Sequence, residues 1–215
     1  MTTAAPATPA TTDVEYFFDP ACPWTWLTSR WLVDAAQQRG VTVTWRSLSL
    51  LVLHDGEPPE QYAVRVRSAA RAHRLFAALS DAGRNDLVGA VYAAIGERVH
   101  DGGNELTLDV VRDAATASGA GDWLDAVDDE RWDAIVELST KEALDLAGPD
   151  VGSPVLAHGS PRVGVFGPIV NPGPRGEQAA MLFDLVLATS AVDGFFELKR
   201  GRRSGPELPA PPQSS

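Results

Sequence analysis

Hydrophobic residues recur along this chain with two different periods, and the places where the period changes divide it. Val14-Glu15-Tyr16-Phe17-Phe18 is a short aromatic run that predicts a strand closed by Asp19-Pro20. Trp26, Leu27, Trp31, Leu32 and Ala35 then fall on one face of a helix that Gly40 stops. Val41 to Trp45 alternates and, with Ser47 to Leu50, predicts a second strand region reaching about Leu53. A strand–helix–strand unit of this size implies a parallel pair joined by a right-handed crossover.

Between Pro58 and Gly148 only the helical period is present. Val66, Ala69, His73, Phe76 and Ala77 share one face, and Val88, Val91, Tyr92, Ile95 and Val99 share another. Thr107 is a plausible N-cap for a shorter helix, and Trp132, Val136, Ser139 and Ala143 mark the last one. Strand signals return in Val155-Leu156-Ala157 and Arg162 to Phe166, with Gly159-Ser160-Pro161 as a hairpin turn. A final helix starts near Gly176 and buries Ala179, Leu182, Phe183 and Val186. The pattern predicts an α/β domain formed by 13–56 and 149–200, an all-helical insertion over 57–148, and disordered tails over 1–12 and 201–215.

Composition narrows the function. A net charge of −11, from 18 Lys+Arg against 29 Asp+Glu, disfavours nucleic acid as a partner. The cluster Lys199, Arg200, Arg202 and Arg203 reads as a solvated tail. One cysteine forbids an intrachain disulfide and suits a reducing compartment. No basic, apolar leader opens the chain and no apolar run is long enough to span a bilayer, so a cytoplasmic protein with no membrane partner is expected. The four histidines offer no pair with metal-ligand spacing, so no metal is expected.

That lone cysteine sits between the first strand and the first helix, in Asp19-Pro20-Ala21-Cys22-Pro23-Trp24-Thr25-Trp26. Pro23 suits a first helical turn, which puts Cys22 at or next to the N-cap. A helix N-terminus lowers a thiol pKa and favours the nucleophilic thiolate, whereas a buried Cys away from such a field is inert. Thr25, one turn on, either donates its hydroxyl to the Cys22 sulfur or merely fills space. Trp26 reads as core and Trp24 as the rim of a pocket. His73 reads as structural and His158 as a hairpin edge. His54 and His100 are pocket candidates, and the phase of Tyr62 allows either pocket or core.

The order β–α–β, helical insertion, β–β–α, with Cys-Pro-Trp after the first strand, resembles the DsbA-like branch of the thioredoxin superfamily. The segments Phe18 to Trp31, Glu60-Gln61-Tyr62, Arg98 to Asn104, Val151 to Pro154, Phe166-Gly167-Pro168, Pro174 to Glu177 and Phe195 to Arg200 are similar to the mycothiol-dependent nitroreductase group within it. The resemblance implies a thioredoxin-like fold with an inserted helical domain and a Cys22 thiolate at neutral pH. It implies a cis peptide at Pro154, with the Ser153-Pro154 backbone edge beside the sulfur to receive a thiol. It implies mycothiol as low-molecular-weight thiol co-substrate and a small electrophile or nitroaromatic as substrate, and it leaves a homodimer open. The departure is Thr25, which stands where the family typically has a second cysteine. Internal dithiol cycling is then impossible, so a monothiol oxidoreductase, a thiol-conjugating transferase or isomerase, and a non-catalytic binding protein all remain open. His54 also stands where the family has a small amide side chain.

Overall fold

The computed structural model describes residues 13–209. Of the expected tails, 1–12 and 210–215 lie outside the described residues.

Four strands form one sheet in the order β2-β1-β3-β4, with β1 at Val14–Phe18, β2 at Val43–Ser47, β3 at Val155–His158 and β4 at Val163–Phe166. β1 runs parallel to β2 and antiparallel to β3, with Tyr16 opposite both Trp45 and Leu156. The crossover between β1 and β2 is α1, Pro23–Arg39, which Gly40 ends in the left-handed conformation at φ 63°. β2 is an edge strand, and the Asn85 side chain caps it by pairing with both the N–H and the C=O of Trp45 at 2.9 Å.

The expected strand to about Leu53 is shorter than the alternation suggests. β2 stops at Ser47, and Leu50–Leu53 is a helical turn, α2. Tertiary contacts decide this. Asp19 captures the Leu50 N–H at 2.7 Å and the Ser49 hydroxyl accepts from the Val52 N–H, so the segment is capped as a helix start instead of being paired as a strand.

Between β2 and β3 the chain is helical: α3 Ala63–Asp81, α4 Asn85–Gly96 running into a π-helical turn Glu97–Asp101, α5 Leu108–Ala117, two 3₁₀ segments at Gly121–Asp128 and Glu130–Trp132, and α6 Asp133–Ala147. Thr107 caps α5 as expected, its hydroxyl accepting from the Val110 N–H. Period-2 alternation sends Val14, Tyr16 and Phe18 to one sheet face, where they join α1, α3, α4 and the last helix, α7 (Glu177–Ser190). Phe17, Val155 and Ala157 face the other way and meet Ala143 of α6. This is a mixed α/β thioredoxin-like sheet with an inserted helical region.

Residues 201–209, expected as part of a tail, carry no helix or strand but are tethered. The Asn171 side chain donates to Ser204 Oγ and to the Gly205 carbonyl, and accepts from the Glu207 N–H, while Leu208 packs on the core. The chain leaving α7 thus returns to the Asn171 loop. Among the described residues, no helix is long and apolar enough to cross a membrane.

Candidate active site

The turn from β1 into α1 is held by one buried carboxylate. Asp19 has no exposed surface, and its oxygens accept from the N–H groups of Ala21 and Leu50, each at 2.7 Å. His73 Nε2 stands 3.2 Å from the same carboxylate, and its Nδ1 is 2.9 Å from Ser47 Oγ. His73 is structural, as its apolar helical face suggests, and ties α3 to both parallel strands. Asp19 itself reads in the sequence only as a strand terminator, because its partners come from three separate segments.

From that turn Cys22 emerges as the N-cap of α1, with Pro23 at the first helical position. Its carbonyl accepts the first helical bond, from Trp26 N–H at 3.1 Å. The Tyr16 hydroxyl donates to the Thr25 carbonyl at 2.8 Å, so the strand also fixes the first turn of the helix. Cys22 is half-buried, and its Sγ points to the Ser153 carbonyl at 3.8 Å. The Ser153–Pro154 bond is cis. Thr25 is fully buried and its hydroxyl lies 2.8 Å from that of Ser153. Cys22, Thr25, Ser153 and Pro154 are therefore brought together across more than half the chain.

Burial pushes the Cys22 thiol above its ordinary pKa, and the nearby Asp19 charge adds to this. The Thr25 hydroxyl, the Thr25 N–H and the Trp24 N–H act in the opposite sense, by hydrogen bonding the thiolate. Burial prevails, so the thiol is less acidic than the helix-terminus argument alone suggests. The site can still work as a proton-dependent nucleophile. In the thiol form S–H donates to the Ser153 carbonyl. In the thiolate form the Thr25 hydroxyl turns to the sulfur while Ser153 donates to Thr25.

The remaining candidates divide. Trp26 is core, with 1% exposure, and donates to Asp101 Oδ1 at 2.8 Å. Trp24 is half-buried, and the Arg202 guanidinium lies 4.7 Å from its ring centroid. His100 is buried behind the turn. Its Nε2 donates to the Pro20 carbonyl at 2.9 Å and its ring stacks on Trp26, so it supports the Cys22 loop from beneath. His54 ends α2, and Tyr62 is 51% exposed. Neither side chain has a hydrogen bond or an ion pair among the described residues, and no contact links them to Cys22. A cleft of about 900 Å³ lies between α2, α3 and α6, lined by Ser49, Val52, Arg74 and Lys141, with no residue of the Cys22 motif in its wall. Among the described residues there is no group of three or more side chains suited to a metal ion. Arg202, expected in a solvated tail, lies against Trp24 instead, since a basic run far from Cys22 carries no mark of where it docks.

Comparison with known proteins bears on the fold and the family. The fold is similar to cytosolic disulfide reductase DsbM from Pseudomonas aeruginosa solved with GSH (TM-score 0.55, 16% identity, 82% of this chain and 99% of that one). It is also similar to the probable DsbA oxidoreductase SCO1869 from Streptomyces coelicolor (TM-score 0.50, 19% identity, 93% and 98%). In sequence the chain is 30% identical over 202 residues to the uncharacterized protein Rv2286c of Mycobacterium tuberculosis, covering 88% of this chain and 82% of that protein. Residues 21–200, which hold the Cys22 motif, the helical region, Ser153-Pro154 and α7, match the Rv2466c-like model, described as mycothiol-dependent nitroreductase Rv2466c, and the chain belongs to that family.

Proposed function

We propose that this protein is a monothiol, mycothiol-dependent oxidoreductase in which Cys22 is the nucleophile. The observation that carries the reading is the half-buried Cys22 sulfur at a helix N-cap, facing the Ser153 carbonyl, with a buried Thr25–Ser153 hydroxyl pair alongside. Cys22 thiolate attacks the mycothiol sulfur of a mixed disulfide, forming Cys22–S–S–mycothiol and releasing the substrate as thiolate. A second mycothiol thiolate attacks that adduct, forming mycothiol disulfide and restoring Cys22. One substrate sulfur is reduced, two mycothiols end as one disulfide, and no second protein thiol is needed. A nitroaromatic would instead take two electrons per step from two free mycothiols, which end as one disulfide while the nitro group loses one oxygen as water. A reducing, cytoplasmic setting suits a cycle that depends on a free thiol.

The transferase or isomerase reading asks Thr25 to activate the co-substrate thiol. Thr25 has no exposed surface and its hydroxyl is engaged with Ser153, which disfavours it. The raised Cys22 pKa is what favours a non-catalytic binding role. Turnover separates the readings. Mycothiol-dependent reduction of a mixed disulfide by the wild type, lost in Cys22→Ala, is the expected result. Full activity in Cys22→Ala removes the nucleophile assignment, and an adduct or isomer as sole product favours the transferase.

A further inference from the structure

The C-terminal chain is not a free tail. It leaves α7 at Ser190, whose hydroxyl meets His158 Nε2 at the end of β3 that pairs with Val14. It then crosses back to the opposite end of β1, where Asn171 grips Ser204, Gly205 and Glu207. The Asn171 loop is itself tied to α1, because Thr28 Oγ1 donates to the Pro168 carbonyl at 2.9 Å. On this strap Arg202 lies over the indole of Trp24, within the Cys22–Thr25 motif. The Arg202 guanidinium has no hydrogen-bond partner among the described residues, and its N–H groups form a planar fork suited to carboxylate or phosphate oxygens. Arg202 forms no ion pair with a described residue, and neither do Lys199, Arg200 or Arg203. A chain of net charge −11 thus sets one unpaired cation, Arg202, against the tryptophan two residues from its nucleophile. The Asp19 charge acts on the Cys22 sulfur in the sense that disfavours an incoming anion, and Arg202 on the strap is a cation placed to offset it.

We propose that Arg202 is a specificity-determining residue, and that the Cys22 site selects electrophiles or disulfides carrying an anionic oxygen group, a carboxylate being the simplest, beside the atom that Cys22 attacks. This rests on the reading of Cys22 as the nucleophile. It adds the substrate class, which no feature of mycothiol dictates.

The single cysteine makes the test clean, because every thiol-modifying event reports on Cys22. The probes are 5,5′-dithiobis(2-nitrobenzoate), a dianion, and 4,4′-dithiodipyridine, which is neutral. Each reacts by attack of the Cys22 thiolate on the reagent's S–S bond. One aryl half becomes bonded to Cys22 and the other leaves as thiolate or thione, so two electrons pass from Cys22 to the reagent. The ratio of the two rate constants at one pH cancels the ionisation of the thiol and isolates the field at the mouth. In Arg202→Gln the anion-to-neutral ratio falls about fivefold at low ionic strength, and added salt lowers the wild-type ratio towards that of the variant. Asn171→Ala, which frees the strap without removing a charge, lowers the ratio in the same direction. Equal ratios in wild type and Arg202→Gln overturn the proposal while leaving the mycothiol reading intact, since neither probe involves mycothiol. Failure of Cys22 to react with either probe overturns both.

Discussion

The hydroxyls of Thr25 and Ser153 lie 2.8 Å apart, buried, and join the first turn of the Cys22 helix to the loop that carries Pro154. The pair gives Thr25 a defined partner, and either hydroxyl can be the donor. When Cys22 is ionised, the Thr25 proton points to sulfur and the Ser153 proton points to Thr25.

Thr25→Val keeps the shape and deletes this relay. Ser153 loses its partner in a dry site, which costs about 1–3 kcal/mol. The Cys22 pKa, already raised by burial, moves further up because the Thr25 hydroxyl lowers it. Urea unfolding and the pH profile of Cys22 alkylation measure the two effects. An unchanged profile would mean that Thr25 only fills space.

Asp19→Asn separates charge from scaffold. Removing the carboxylate lowers the Cys22 pKa, since the Asp19 charge raises it. The same change disturbs acceptors for the Ala21 and Leu50 N–H groups and for His73, and costs about 2–4 kcal/mol. A variant that is less stable yet alkylated at lower pH is expected. A Cys22 profile that stays in place would detach Asp19 from the site.

What could be read from the sequence and what could not divides along that residue. Cys22, Pro23, Thr25 and the Ser153-Pro154 pair interrupt their local patterns, so their placement was open to inspection. The helix at Leu50–Leu53 was not, because an alternating stretch yields to a carboxylate 31 positions earlier. Arg202 was hidden for the same reason. Its meaning lies in a ring at the other end of the chain, and a run of basic residues looks alike whether solvated or docked.

His100 should make acid stability diagnostic. Burial lowers its pKa to about 4 from the usual 6.5, so both folded and unfolded chains hold it neutral above pH 6.5. As pH falls below 6.5 the unfolded chain takes the proton first, and stability is lost progressively until about pH 4. The loss approaches about 3 kcal/mol. His100→Gln retains an N–H for the Pro20 carbonyl but does not titrate. The difference in unfolding free energy between the two proteins should therefore change across this window. A difference that is flat from pH 6.5 to 4 would contradict the buried neutral imidazole.

Gly96 is where α4 lets the site's core tryptophan in. A Cβ there would stand 2.1 Å from the Trp26 ring. Gly96→Ala gains about 1 kcal/mol of helix propensity and loses about 1–3 kcal/mol to overpacking, more if Trp26 is displaced from Asp101. A net destabilisation with a shifted tryptophan emission is expected. A stabilised variant would show that Trp26 yields readily and does not brace the Cys22 helix.

The central claim is that Cys22 alone forms and releases a mycothiol adduct. Intact-mass measurement after exposure to mycothiol disulfide tests it most directly, at a pH high enough to ionise the raised thiol. The account predicts one mycothiol added per chain, on Cys22, removed again by excess mycothiol with the free protein restored. A wild-type mass that stays unmodified, or an adduct that excess mycothiol cannot discharge, would contradict it.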